Sequence, residues 1–272
     1  MVFDSNLNGE LAVFAGRLAD AARCETLPRF RARATIYNKA GALFDPVTDA
    51  DREAERSLRR MIEAVYPGHG IIGEEFGALR ADAEYRWVID PVDGTRAFMC
   101  GAATWATLIA LERAATPAIG VIDQPFTDER WTGSAGGAQY SHAGNARPCE
   151  TSGVTELGNA RLSTTDPRRE AYFSADEAAA FAALAAKTQV ARFSLDAYAY
   201  GLLAIGELDL VAEASLKRHD FAALAPVVEG AGGVITGWKG EPLGDCASGR
   251  VVAAATKELH AAAIDVLNAA PK

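Results

Sequence analysis

The sequence has few of the residues that build disulfide frameworks and transition-metal sites. Its 272 residues include four cysteines and four histidines. The cysteines are dispersed without a Cys-x-x-Cys pair and the histidines are equally scattered, which predicts reduced thiols rather than disulfides or a zinc site. The positions are Cys24, Cys100, Cys149, Cys246, His69, His142, His219 and His260.

Long apolar segments and an excess of positive charge are also lacking. No stretch approaches the ~20 apolar residues that a membrane-spanning helix needs. The N-terminus shows no basic region followed by an apolar core, so the sequence predicts no signal peptide and a cytoplasmic location. The formal net charge is −9, which argues against nucleic acid and anionic membranes as partners and is compatible with a cation or a metal-bridged ligand.

The composition is otherwise that of a globular protein. Hydrophobic residues make up 49% of the chain and charged residues 23%, which suffices for one large domain or two smaller ones. Helical spacing of apolar residues followed by several strands favours an α+β part over residues 1–144. Alternating strands and helices favour an α/β part over residues 145–272.

The segment from Trp87 to Phe98 is the central motif of the sequence, on which the other predictions depend. Its first apolar residues predict a buried strand that ends in an acidic turn, where Pro91 has no N–H to donate to a sheet. Asp90 and Asp93 are three residues apart across this turn, so both carboxylates can converge on one cation. Ligands that are all oxygen favour Mg²⁺ over zinc.

Gly94 and Thr95 follow this turn and are expected to begin a helix. The free N–H groups at such a helix start can bind phosphate. Carboxylates that bind metal beside an anion-binding helix start indicate phosphate chemistry. The alternative is a structural Asp-Pro turn followed by a helix cap.

Two further acidic segments precede this central motif. Thr48 is a natural N-cap and Asp51, three residues later, completes a near capping box, which gives Asp51 a structural interpretation. Glu74 and Glu75 follow an apolar pair, and Gly73 permits close backbone approach, so a metal ligand could be delivered at a strand end. A solvated acidic turn is the alternative.

Local predictions also concern the later part of the chain. Asp196 is expected to begin a short helix, so this carboxylate can be interpreted simply as an N-cap. One helix is expected from Asp220 to about Ala231, with a kink or a local irregularity at Pro226. Residues 135–146 are polar and rich in glycine, which favours a hairpin and a linker.

Together these motifs resemble the inositol monophosphatase superfamily. The resemblance rests on Gly73-Glu74-Glu75, on the run from Asp90 to Thr95, and on Asp220 before a Gly-Ala-Gly-Gly turn. It extends from about Lys39 to Gly240. It implies a layered α/β/α/β/α sandwich, usually a homodimer, that binds two to three Mg²⁺, acts on a small phosphorylated metabolite and is typically inhibited by lithium.

The resemblance also assigns a role to individual residues. Asp51 and Thr95 look like the pair that orients the attacking water, and Gly94 with Thr95 looks like the phosphate-contacting helix start. Glu75 matches a secondary acidic position. The metal ligands, of which Glu74 also serves catalysis, correspond to Glu74, Asp90, the Val92 carbonyl, Asp93 and Asp220.

Other features resemble the histidinol-phosphate phosphatase branch. They are Arg96 after Gly94-Thr95, the run 196–203 with its following strand, and the triplet 129–131. Histidinol phosphate carries an ammonium and an imidazole, so a pocket containing Glu213 and Asp196 suits it. Histidine biosynthesis is the implied context.

Several alternatives stay open at this point. Lys217-Arg218-His219 stands where the superfamily commonly has an aromatic residue, and the loop from Ala40 to Phe44 is less polar than usual. An inositol-1-monophosphatase is the nearest rival, and a 3′-phosphoadenosine 5′-phosphate phosphatase is another. A catalytically idle, metal-binding relative is a rival of a different class.

Overall fold

The computed structural model describes residues 5–32, 36–38, 46–168, 172–244 and 248–269. Lys39 and the Ala40 to Phe44 loop lie outside the described residues. The helices are α1 Ser5–Thr26, α2 Asp49–Val65, α3 Thr95–Cys100, α4 Ala175–Ala185, α5 Tyr198–Ala204, α6 Arg218–Phe221, α7 Leu224–Gly230 and α8 Lys257–Ala269.

The strands divide into one pair and two larger sheets. In chain order they are β1 Ile36–Asn38, β2 Pro46–Thr48, β3 Gly70–Gly73, β4 Gly77–Leu79, β5 Tyr85–Asp93, β6 Ala106–Arg113, β7 Thr116–Gln124, β8 Glu129–Ser134, β9 Gly137–His142, β10 Asn145–Pro148, β11 Arg161–Thr164, β12 Val190–Phe193, β13 Leu210–Glu213, β14 Val234–Gly237 and β15 Val251–Ala254.

The large sheet has eight strands in the order β10-β9-β8-β7-β6-β5-β3-β4, and the small sheet has five in the order β12-β11-β13-β15-β14. Neighbours in the large sheet are antiparallel except β3 and β5, which run parallel. In the small sheet β11 is parallel to both of its neighbours, whereas β15 is antiparallel to β13 and β14. β1 and β2 pair only with each other among the described strands.

Three apolar clusters separate the layers. The first joins α1 and α2 to one face of the large sheet, where Phe14, Leu58 and Trp87 are buried. The second fills the space between the other face of this sheet, α5 with α7, and the small sheet. The third packs α4 and α8 on the far side of the small sheet. The expected α/β/α/β/α sandwich is therefore confirmed, and the division of the chain at residue 144 stays a prediction.

The central motif, from Trp87 to Phe98, forms a β-bulge instead of the expected turn after Ile89. β5 continues to Asp93, and Asp90 pairs with Leu108 while Asp93 pairs with Ala106. The three steps on β5 therefore oppose two steps on β6, and an extra residue is accommodated as in a β-bulge. Prolines are tolerated at such bulges because the ladder already lacks a hydrogen bond there.

Two other local predictions were confirmed only in part. The expected helix from Asp220 to Ala231 is interrupted at residues 222–223 and forms α6 and α7. Pro226 has no N–H for the Ala222 carbonyl and its ring crowds that carbonyl, so the break precedes the proline by one turn. Residues 135–146 form β9 and part of β10 as an antiparallel hairpin, as expected, but this hairpin extends the large sheet and leaves no linker there.

A buried ion pair ties α6 to the large sheet. The Glu112 carboxylate on β6 is fully buried and accepts from the Arg218 Nε at 2.8 Å and from the Arg86 Nη2 at 3.0 Å. The Arg218 Nη2 also donates to the Ala115 carbonyl at 3.1 Å. Since Arg218 begins α6, this contact sets where the following residues of the helix lie.

We expect Glu112→Gln to lower the free energy of unfolding by about 3 kcal/mol, because it leaves two partly buried guanidinium groups without their shared anion. Denaturant unfolding would measure the loss. Glu84→Gln is the control, since Glu84 pairs with Arg113 at the surface and should change stability by under ~1 kcal/mol. Equal losses in both variants would contradict a special role for the buried pair.

Candidate metal centre and substrate pocket

Carboxylates from two distant parts of the chain meet at the end of β5. Oxygens of Asp90, Asp93 and Asp220 all lie within 4.8 Å of one another. Burial, followed by repulsion from Glu74 and Asp93, raises the pKa of Asp90 well above its ordinary value. Burial, followed by repulsion from Asp196 and Asp220, does the same for the pKa of Asp93. A divalent cation would relieve this repulsion, so the oxygen donor set fits Mg²⁺.

Glu74 reaches this centre from the turn after β3. That turn is held by Glu55 of α2, whose Oε2 accepts from the Glu75 N–H at 2.7 Å and whose Oε1 accepts from the Phe76 N–H at 3.1 Å. A Cβ on Gly73 would overlap the Glu55 carboxylate. The glycine is therefore required for this close approach, as the sequence indicated.

Sequence reasoning missed Glu55 as a positioning residue. The available signal was its place on the apolar face of α2, between Ala54 and Leu58, where a carboxylate needs a partner when buried. Glu55 is fully buried and also pairs with the Arg59 Nε at 2.8 Å. It links the helix to the turn that carries Glu74.

Asp51 combines the two interpretations that the sequence left open. Its Oδ2 accepts from the Thr48 N–H at 2.9 Å and from the Thr48 hydroxyl at 2.5 Å, which completes the capping box of α2. Its Oδ1 lies 3.4 Å from the Thr95 hydroxyl, which lies 3.2 Å from the Val92 carbonyl. Burial raises the pKa of Asp51 to about 6, against the hydrogen bonds from Thr48.

α6 brings Asp220 and an unexpected imidazole to the same place. The Asp220 Oδ2 accepts from the Lys217 N–H at 2.7 Å, and burial raises the pKa of this carboxyl. The His219 Nε2 lies 3.4 Å from the Asp220 Oδ1. Among the described residues, ligand atoms of Glu74, Asp90 and His219 form a second group within 4.8 Å of one another. Sequence analysis assigned no role to His219.

A pocket opens beside the metal centre. Glu213 at the end of β13 is fully buried there and accepts hydrogen bonds from the Thr165 N–H at 2.7 Å, the Thr165 hydroxyl at 2.9 Å and the Thr164 hydroxyl at 3.0 Å. Burial raises the pKa of Glu213 to about 8, although these hydrogen bonds oppose the shift. The lining residues are Asp93, Thr165, Asp196, Ala197, Tyr200, Glu213, Leu216, Asp220 and Leu224.

Asp196 lies in this pocket and is not the N-cap of α5. The helix begins at Tyr198, Ala197 precedes it without a side-chain cap, and Asp196 has a left-handed φ of 47°. This turn places the Asp196 carboxylate against Gly94, whose own φ is 79°. Burial raises the pKa of Asp196 to about 6, while Arg96 opposes the rise.

Arg96 and Glu75 lie at the margin of the predicted site. Arg96 is exposed, and its guanidinium stacks over the Tyr172 ring at 4.8 Å from the centroid. Glu75 is half-buried beside Glu74. Within the described residues it supplies no atom to either group of clustered ligand atoms.

The layered fold and its buried carboxylates are the arrangement of a metal-dependent phosphatase. A family model described as "Inositol monophosphatase family" matches residues 8–272. The chain belongs to this family, whose members are metal-dependent and act on small phosphorylated substrates. None of the described helices is both long and apolar enough to cross a membrane.

Relatives and solved structures agree with this assignment. "Bifunctional phosphatase IMPL2, chloroplastic" of Arabidopsis thaliana is 38% identical over 94% of this chain and 74% of its own length. "Histidinol-phosphatase" of Mycobacterium tuberculosis is 36% identical over 72% of this chain and 75% of its own. A solved inositol monophosphatase from Zymomonas mobilis is 40% identical with a TM-score of 0.85, covering 96% of this chain and 98% of that one. The resemblance to the superfamily and its histidinol-phosphate phosphatase branch is confirmed.

We expect Glu55→Gln to weaken divalent-metal binding about 10- to 100-fold, because an amide has one acceptor oxygen for the N–H groups that a carboxylate holds with two. Isothermal titration calorimetry with Mg²⁺ measures this affinity. The matched control is Glu53→Gln on the same helix, where Glu53 pairs with Arg56 at the surface. Unchanged metal affinity in Glu55→Gln would show that the turn holds Glu74 without Glu55.

Proposed function

We propose that this protein hydrolyses L-histidinol phosphate to L-histidinol and phosphate, with two to three Mg²⁺ in the active site. The observation that carries the proposal is the acidic pocket. Asp196 and Glu213 line the same cavity as Asp93 and Asp220. A substrate with a phosphate at one end and a cation at the other matches a metal centre beside buried carboxylates. The proposed context is histidine biosynthesis.

The proposed Mg²⁺ ligands are the ones that the family resemblance assigns. Bound Mg²⁺ supplies charge neutralisation at the phosphoryl oxygens and lowers the pKa of water. The chain supplies the positions of the donors, three of which converge from β5 and α6. The ligands are Glu74, Asp90, the Val92 carbonyl, Asp93 and Asp220, with Glu75 as a secondary acid.

Thr95 and Asp51 are suited to orient the attacking water. The Thr95 hydroxyl has one proton, and its neighbours Asp51 Oδ1 and the Val92 carbonyl are both acceptors. The proton is therefore directed at one of these acceptors, which leaves the hydroxyl oxygen to accept from water. Thr48 holds the other Asp51 oxygen, so the carboxylate cannot rotate freely. Gly94 and Thr95 contact the phosphate in this proposal.

The charge of the pocket favours a cationic leaving group. Repulsion from Asp196 contributes to the raised pKa of Glu213, after burial. An ammonium or imidazolium in the pocket would stabilise both carboxylates in their ionised form. Arg96 and Tyr172 lie at the rim of the site, where we propose that Arg96 contacts the substrate.

Tyr200 offers a further polar contact for the substrate. Tyr200 lines the pocket, and its hydroxyl is buried without a hydrogen-bond partner among the described residues. A buried hydroxyl without a partner costs about 1–3 kcal/mol. We propose that the imidazole of the substrate meets this hydroxyl.

Inositol 1-phosphate is the second candidate substrate. The similarity to the inositol monophosphatase of Zymomonas mobilis favours it. Inositol carries hydroxyls and no cation, so it would leave the repulsion between Asp196 and Glu213 in place. The homodimer, the cytoplasmic location and lithium inhibition stay predictions from the sequence and its resemblance.

We expect Asp93→Asn to lower kcat by orders of magnitude with the fold retained, because the lost charge belongs to the centre that stabilises the transferring phosphoryl group. Phosphate release at saturating Mg²⁺ and circular dichroism would measure the two properties. Asp82→Asn, at an exposed turn before β5, serves as the control. Near-native turnover in Asp93→Asn would remove Asp93 from the metal assignment.

We expect Glu213→Gln to lower kcat/KM for L-histidinol phosphate about 10- to 100-fold, because a charge-assisted contact contributes roughly 1.5–3 kcal/mol. An aryl phosphate, whose leaving group does not reach Glu213, should be affected much less. Glu207→Gln, at an exposed carboxylate in the preceding loop, is the matched control.

A panel of three phosphorylated substrates tests the proposed choice of substrate. L-histidinol phosphate, inositol 1-phosphate and 3′-phosphoadenosine 5′-phosphate are compared by kcat/KM in the native protein. A preference for inositol phosphate would overturn the proposed substrate and leave the metal chemistry standing. Equal losses on histidinol phosphate and aryl phosphate in Glu213→Gln would assign Glu213 a structural role.

A further inference from the structure

The two groups of clustered ligand atoms differ in chemistry. Asp90, Asp93 and Asp220 offer only oxygen, whereas Glu74, Asp90 and His219 offer an imidazole nitrogen as well. Asp90 belongs to both groups, so the two positions are adjacent and not equivalent. The all-oxygen group suits Mg²⁺, and a mixed nitrogen and oxygen group suits first-row transition cations.

His219 is held firmly at this position. Arg218, the residue before it, is anchored by the buried Glu112 carboxylate at 2.8 Å. Asp220, the residue after it, accepts from the Lys217 N–H at 2.7 Å. The His219 side chain is 12% exposed. The residues on both sides of His219 are therefore held in place and the ring is largely buried, which favours the preorganisation that a metal ligand needs.

The residue type at position 219 supports a role in metal binding. The family resemblance leads one to expect an aromatic residue before Asp220, and this chain has His219 there. An imidazole keeps the flat ring that can pack at this edge and adds a nitrogen that can bind a metal. Packing alone would be served by phenylalanine, so the nitrogen is the feature that distinguishes this chain.

We propose that His219 is a metal ligand, and that the Glu74, Asp90 and His219 position binds a transition cation such as Co²⁺ or Mn²⁺ more tightly than Mg²⁺. Irving–Williams affinities favour Co²⁺ over Mn²⁺ at such a site. The inference shares Glu74 and Asp90 with the proposed function. It concerns metal choice, and it can be tested without substrate.

Calorimetric titration of the full chain with Co²⁺ and, separately, with Mg²⁺ gives the ratio of the two affinities. We expect His219→Phe to lower the Co²⁺ affinity at least ~10-fold, the lower end of the loss seen when groups around a metal are removed. The Mg²⁺ affinity should fall by much less, so the ratio changes. His142→Phe, at an exposed position on β9, is the control and should leave the ratio unchanged.

Pulsed electron paramagnetic resonance of bound Mn²⁺ supplies a direct readout. The native protein should show nitrogen coupling that changes on labelling histidine with ¹⁵N and is absent in His219→Phe. Equal losses of Co²⁺ and Mg²⁺ affinity would mean that His219 only positions Asp220, which overturns the proposal. Native protein without nitrogen coupling would also overturn it. Neither measurement depends on phosphatase activity. A protein without that activity would therefore refute the proposed function and leave the metal-ligand proposal standing.

Discussion

Mutual repulsion among buried carboxylates is the constraint on which the rest of the structure depends. Asp90 and Asp93 are adjacent to Asp220 in a small volume, and burial raises the pKa values of all three. Such groups separate unless the scaffold holds them. Here the scaffold does so with hydrogen bonds and ion pairs outside the cluster, of which Glu55 and the Arg218 pair with Glu112 are the clearest.

The same constraint explains why the site is built on rigid elements. Asp90 and Asp93 belong to a strand in the middle of the large sheet, and the Asp93 Oδ2 accepts from the Ala197 N–H at 2.7 Å. That bond ties the strand to the segment that leads into α5. The conformation of the acidic pocket and that of the metal centre are therefore coupled through one carboxylate.

The sequence predicted those features that depend on near neighbours. The capping box at Thr48 and Asp51 is present, because both partners lie within one helical turn. The layered fold was implied by the motif resemblance, whereas the apolar periodicity indicated only helices and strands. The bulge in β5 was missed, because it is set by pairing with β6, which local spacing does not reveal.

Other features were hidden for the same reason. The left-handed turn at Asp196 depends on packing against Gly94, about a hundred residues earlier in the chain. His219 is one residue from a predicted ligand, yet its closeness to Glu74 and Asp90 arises only when α6 docks on the large sheet. The resemblance implied that Asp220 meets the acids of the first half, but no local pattern indicated that His219 does.

The long sequence separations have a consequence for how the protein is made. The Asp93 bond to Ala197 spans 104 residues and the Arg218 bond to Glu112 spans 106. Closing such loops costs conformational entropy before any contact compensates for it. During synthesis, a ribosome-bound chain that has released only the large sheet lacks Asp220. The group formed by Asp90, Asp93 and Asp220 is therefore completed only after α6 has emerged.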